Sequence, residues 1–148
     1  MIGQEAAALV RASHEAFNAR DFDRVDEIVA EDFEHTNVAT GETFHGPEGM
    51  KRFERGWIEA FSDAETEVVG LHGGDDFAVV EFVGRGTHDG PMATPDGEIP
   101  PTGRRIETRF CEVFEARDGK LVRGRIYFDL ATIMGQLGLL SAPESAEA

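Results

Sequence analysis

Apolar residues in the first sixty positions recur mostly at helical spacing. Leu9, Val10, Ser13, His14 and Phe17 share one face and predict a first helix over about residues 3–19. Asp21 is a plausible N-cap for a short second helix that presents Phe22, Val25, Ile28 and Val29. Gly46-Pro47 opens a third helix, with Pro at its first position and Met50, Phe53, Trp57 and Phe61 as its apolar stripe. Between them, EDFEHTN (31–37) changes to a period of two, with Phe33, His35 and Asn37 on one side, which predicts a short strand.

The second half alternates. Glu65–His72 and Phe77–His88 read as strands joined across Gly73-Gly74-Asp75-Asp76. Ile106–Ala116 and Leu121–Asp129 read as two more, joined across Asp118-Gly119. Gly84 and Gly86 inside a strand predict a bulge or sharp bend. The stretch DGPMATPDGEIPPTG (89–103) is too rich in Pro and Gly for regular structure, and its length suits either a disordered excursion or a flap over a site. A three-residue loop Arg117-Asp118-Gly119 would set Ala116 against Lys120, Val122 against Phe114, Gly124 against Glu112, Ile126 against Phe110 and Phe128 against Thr108. That register gathers the large apolar residues on one face. Arg109, Cys111, Val113, Arg123, Arg125, Tyr127 and Asp129 fall on the other. Helices followed by an antiparallel meander predict an α+β fold. Packed on one face of a strongly bent sheet, the helices would close a cone with an apolar interior able to hold a small ligand.

At 148 residues the chain suits one domain, residues 1–140, followed by a small, polar and acidic tail, 141–148, of disordered composition. The net charge of −15 opposes nucleic acid and acidic membrane surfaces and otherwise reads as solubility. No apolar run approaches the roughly 18 residues of a membrane span, and the N-terminus lacks the pattern of a signal peptide. A single cysteine, Cys111, forbids an internal disulfide and suits a reducing cytosol, so a cytoplasmic location is expected. No two histidines show a metal spacing, no Gly-rich phosphate loop is present, and no G-x-S-x-G occurs.

The candidate chemistry lies on the predicted inner face. Glu112 is an acid among apolar residues. Without a partner, burial would raise its pKa and suit it to proton transfer; with Arg125 as partner it would be a cross-strand ion pair. His88 ends a strand just before the flap, where it either polarises a ligand carbonyl or bonds loop backbone. His35 and Asn37 would orient a ligand oxygen or satisfy nearby backbone. His14, His45 and His72 have less support. Trp57 reads as core or pocket wall. Asp129 ends the last strand and precedes LATIMGQLG. It reads as a helix N-cap, receiving an N–H bond from Ala131 or Thr132, in preference to a catalytic acid.

Four stretches, FNARDFDRVDEIVAEDFEHTN, GRGTHDGP, PTGRRIETRFCEVFEARDGKLVRGRIYFD and ATIMGQLGL, resemble the SnoaL-like polyketide cyclases of the nuclear transport factor 2-like superfamily, across about residues 5–140. The resemblance implies a cone-shaped domain, commonly a homodimer, with a pocket between helices and sheet and no metal or cofactor. It implies an aldol closure in which a carboxylate moves the proton beside a carbonyl. The family's acid–base Asp aligns three residues before Asp129, where this chain has Ile126, and its histidine on the preceding strand aligns with Glu112. The expectation is therefore acid/base chemistry without a cofactor on a hydrophobic, oxygenated small molecule. Glu112 would be base or acid, with His88 and His35 placing oxygens and Asp129 a further candidate. Phe82, Phe110, Ile126, Phe128 and Trp57 would form the wall and Asn37 would add a polar contact. A non-catalytic ligand-binding or assembly role is the alternative, because Ile126 cannot carry a proton.

Overall fold

The structure, a computed structural model, describes residues 5–140; the expected tail 141–148 lies outside the described residues. Helix α1 (Glu5–Ala19) is followed by a 3-10 turn (Phe22–Arg24), α2 (Val25–Ile28), β1 (Val29–Asn37), β2 (Glu42–His45) and α3 (Gly46–Ala60). Then come β3 (Glu65–Gly73), β4 (Phe77–Thr87), β5 (Met92–Thr94), β6 (Gly97–Ile99), β7 (Arg105–Arg117), β8 (Lys120–Phe128) and α4 (Leu130–Gln136). Six strands form one sheet in the order β2-β1-β8-β7-β4-β3. β1 runs parallel to β8, and the other neighbours are antiparallel. The α+β class is as expected. The helical half also contributes strands to the sheet, and β2 carried no apolar alternation to announce it.

The helices pack on one face of the sheet. Phe33, Phe61, Phe114, Leu121 and Ile133 are fully buried there. α1 ends at Arg20, a non-glycine residue at φ 60°. Its guanidinium donates hydrogen bonds to the carbonyls of Phe17, Ser62 and Ala64, so the end of α1 is tied to the start of β3. Val29, expected in the second helix, instead begins β1 and pairs with Leu121; its β-branched side chain favours the pleated surface.

Three expectations are corrected. The β7–β8 turn holds two residues, Asp118 and Gly119, at φ 55° and 79°, the twist favoured in tight hairpins. Arg117 therefore pairs with Lys120, and a bulge between Glu115 and Ala116 shifts the ladder. Ile126 faces Glu112, Phe128 faces Phe110 and Gly124 faces Phe114. The offset is even, so each residue beyond the bulge keeps its expected face, but Leu121 replaces Val122 in the core.

Gly84 and Gly86 mark no bulge, because β4 pairs continuously with β7 from Phe77 to Thr87. They leave room for aromatic rings: a Cβ at Gly84 would lie 2.6 Å from Phe110 Cε1, and one at Gly86 2.9 Å from Phe61 Cβ. The stretch 89–103 is also partly regular, since β5 and β6 form a small hairpin about Pro95-Asp96. Among the described residues no helix is long and apolar enough to cross a membrane.

Candidate functional site

Strand alternation places Glu112 on the inner face of β7 between Phe110 and Phe114. Two histidines meet it from other elements. His35, on β1, is fully buried and pairs in register with Gly124 of β8. A Cβ on Gly124 would stand 2.7 Å from His35 Cδ2 and 2.6 Å from Phe114 Cε1, so only glycine leaves both rings in place. His35 Nε2 thereby reaches Glu112 Oε2 at 3.1 Å. From α1, His14 brings Nε2 to 3.4 Å from Glu112 Oε1, while its Nδ1 lies 2.9 Å from Thr66 Oγ1.

An ionised carboxylate only accepts hydrogen bonds, so His35 donates from Nε2. Its Nδ1 is left buried without a partner, among the rings of Phe33, Phe53 and Phe114. Burial pushes the Glu112 carboxyl upward. The hydrogen bonds and charges of His14 and His35 outweigh it and hold the pKa down at about 2. The expected upward shift is reversed because two imidazoles, and not Arg125, meet the acid; Arg125 pairs with Glu115 on the other face.

Above Glu112 lies a cavity of about 80 Å³ that reaches the surface beside the exposed Glu65. Its aromatic wall is Phe17, Phe53, Trp57, Phe61, Phe82 and Phe110, with Ile126 beside Glu112. Phe82 and Phe110 stack at 5.1 Å and 5°. Phe128 is outside the lining and braces it, edge-on to Trp57 at 5.6 Å. Ser13, His14, Thr66 and Glu54 also line the space.

Glu54, on α3, is 4% exposed and makes no hydrogen bond or ion pair among the described residues. Burial first, and then the charge of Glu112, push its carboxyl up to about 8, with Arg55 partly opposing. The cavity therefore holds one acid kept charged and one kept neutral at pH 7.

Glu54 and His14 are the residues that sequence reasoning missed. The signal for Glu54 was its position four residues after Met50 and three before Trp57, inside the apolar stripe of α3. His14 was seen on the apolar face of α1 but given no role.

Besides Phe128 and His35, which stand behind the lining, three expected site residues lie elsewhere. Asn37 makes a turn: its Oδ1 accepts the N–H of Ala39 at 3.1 Å. His88 is buried, but outside the cavity lining. Its Nδ1 accepts from the Thr102 N–H at 3.1 Å and lies 3.0 Å from Thr102 Oγ1, its ring packs on Phe61, and burial lowers its pKa. It fastens the 89–103 stretch, of which no residue lines the cavity. Asp129 is an exposed N-cap whose Oδ1 accepts the Thr132 N–H at 3.2 Å and whose Oδ2 accepts the Thr132 hydroxyl. Asn37 and His88 keep the buried side and Asp129 the exposed side that alternation predicts; alternation does not tell which buried positions reach the cavity. Among the described residues no group of three His, Cys, Asp or Glu side chains is arranged for a metal ion.

No curated protein matches the chain. Solved structures do. A protein from Jannaschia sp. CCS1, described as a SnoaL-like polyketide cyclase, superposes with a TM-score of 0.82 at 22% identity, covering 95% of this chain and 96% of that one. TsrD from Streptomyces laurentii does so with a TM-score of 0.78 at 27% identity, over 92% and 96%. IdmH from Streptomyces antibioticus, described as a polyketide cyclase, has a TM-score of 0.73 at 26% identity, over 90% and 98%. The model of the SnoaL-like polyketide cyclases matches residues 7–137, and the chain belongs to that family.

Proposed function

We propose that the protein is an acid/base enzyme, needing no cofactor, that cyclises or isomerises a hydrophobic molecule bearing a carbonyl group. The observation that carries this is the charged Glu112, held between His14 and His35 at the floor of an aromatic cavity. Burying a carboxylate there costs more than an apolar side chain of the same size would, so its presence beside a cavity supports a use. Glu112 is too weak a base, with its pKa near 2, to remove a carbon-bound proton itself. His14, which lines the cavity, is the base, and Glu112 orients it and stabilises its protonated form. His35 fixes Glu112 from behind.

The placement of Ile126 supports this reading. The family's acid aligns with Ile126, and Ile126 faces Glu112 directly across the β7–β8 ladder. Such pairs have Cβ atoms about 5 Å apart. A carboxylate at Glu112 thus enters the part of the cavity that Ile126 also lines. IdmH, described as a polyketide cyclase, adds a relative at 26% identity. The same Ile126 motivates the second reading, a binding domain without turnover.

Deuterium exchange at the carbons beside the carbonyl of 2-indanone, an apolar ketone, separates the two. The wild-type protein is expected to speed the exchange, and His14→Ala and Glu112→Gln to lose the effect. A wild-type protein that binds the ketone without exchanging it leaves only the binding reading.

A further inference from the structure

The two acids of the cavity are met unequally. Glu112 has a histidine at each oxygen. Glu54 projects into the same space from the stripe of Met50, Phe53 and Trp57 and has no hydrogen bond. Its oxygens are not among the fully enclosed, unpartnered atoms of the described residues, so the carboxyl opens on the cavity, and a polar group that faces an apolar pocket without a protein partner is a place where a ligand supplies one. We propose that Glu54 donates the hydrogen bond that holds a carbonyl oxygen of the bound molecule, and gives that oxygen its proton when the adjacent carbon loses one.

This rests on the acid/base reading and assigns it a second group. The charged and titratable groups around Glu54 are Glu112 from β7, His14 from α1, Glu65 from β3 and Arg85 from β4, all on the cavity. His35 stands behind Glu112, and Arg55 follows Glu54 on α3. Only Arg55 among them is found to favour the charged form of Glu54. With its pKa near 8 the group keeps its proton through neutral pH, so it is a donor at rest. Two carboxyls whose environments drive their pKa values apart are the arrangement that assigns acid and base roles.

The step balances. His14 takes a proton from the carbon beside the carbonyl. The electrons of that C–H bond form the C=C bond, the carbonyl π pair moves to oxygen, and oxygen takes the proton of Glu54. The product is the enol, with Glu54 left as carboxylate and His14 as imidazolium. The ligand class is thus an apolar carbonyl compound and not an ammonium ion, which would need Glu54 charged.

The test titrates 2-indanone and its amine counterpart, 2-aminoindane, into the full-length protein between pH 6 and 10, with the carbonyl stretch of the bound ketone followed by infrared difference spectroscopy. Ketone affinity is expected to be level below about pH 8 and to fall about tenfold per pH unit above it as the donor is lost. The carbonyl stretch is expected to shift to lower frequency on binding. Glu54→Leu, which removes an unmet buried polar group and is expected to fold, should lose the shift, the pH dependence and about tenfold in affinity. Glu54→Gln, still a donor, should keep a weaker shift and show no pH dependence.

The proposal is overturned if the ketone fails to bind the wild-type protein, if Glu54→Leu binds it unchanged, or if the amine binds more tightly than the ketone and gains affinity through pH 8. The outcomes separate the two readings. Exchange that survives in Glu54→Leu removes Glu54 and leaves the enzyme standing. Binding that depends on Glu54 in a protein without exchange keeps the donor and removes the enzyme.

Discussion

The β7 wall and the α3 wall of the cavity each present a glutamate that is about 95% hidden from solvent, and they treat it in opposite ways. On β7, Glu112 is reached by histidines from two other elements and stays charged. On α3, Glu54 has only apolar neighbours along its stripe, feels the charge of Glu112, and stays protonated. Burial is nearly the same in both, so burial alone does not decide the state of an acid. The deciding difference is topological. The centre of a sheet is approached by other elements on its inner face, whereas a helix stripe over a cavity looks into space. On the proposed function the walls divide the labour accordingly, with stability and orientation on the strand side and a ligand's hydrogen bond on the helix side.

The largest expected effect breaks the strand side. Glu112→Leu strands two buried imidazoles that the carboxylate now satisfies, and should cost about 3–5 kcal/mol of folding stability, measured as the chemical denaturation midpoint. Glu112→Gln keeps the shape and one acceptor oxygen and should cost less, about 1–3 kcal/mol. Exchange of 2-indanone protons should vanish in both.

The second effect is the pH dependence of that wall. The folded pKa of Glu112, about 2, lies below its ordinary value of 4.5. The unfolded chain therefore binds more protons between these limits. The stabilisation is complete above about pH 4.5 and is lost as pH falls toward 2, at about 1.4 kcal/mol per pH unit. Wild-type and Glu112→Gln stability curves should converge over that interval; parallel curves would show that the histidines do not hold the charge.

Gly124→Ala sharpens the same side without touching a titrating group. The added methyl would press on His35 and Phe114 at 2.7 and 2.6 Å. Overpacking of this kind costs about 1–3 kcal/mol, and displacement of His35 should raise the midpoint of the acid transition in thermal unfolding.

The helix side answers with the opposite sign. The folded pKa of Glu54 is about 8, above its ordinary 4.5, so the native state binds more protons in between and this acid makes the fold less stable as pH rises from 4.5 to 8. Glu54→Leu should therefore gain stability over wild type, with the gain growing by about 1.4 kcal/mol per pH unit across that range and level above it.

How much of this was readable follows the same division between continuous and interrupted structure. The stripe of α3, the four long strands and the inner parity of Glu112 and His35 come from periods of 3.6 and 2 that run unbroken. β2, β5 and β6, at four, three and three residues, are too short for a period to show. The β7–β8 register moved by two because the bulge at Glu115 and Ala116 is a choice of the whole sheet. In the site, the meeting of His14 with Glu112 joins α1 to β7, a contact that no local pattern encodes. Glu54 was legible as an acid inside an apolar stripe, but its state depends on the charge that His14 and His35 preserve on Glu112.

Asp129 gives the smallest expected effect and the cleanest control on this division. It ends one of the stretches that carry the family resemblance, yet its carboxylate lies outside the cavity and accepts from the Thr132 N–H and hydroxyl. Those hydrogen bonds lower its pKa. Loss of an N-cap in a domain of this size should lower Tm by about 2–4 °C. Asp129→Ala should show that drop, Asp129→Asn or Asp129→Ser should restore most of it, and 2-indanone exchange should be unchanged in all three. An exchange rate that followed the charge at position 129, and not the cap, would place chemistry at this end of β8 and remove the reason for assigning it to the two glutamates.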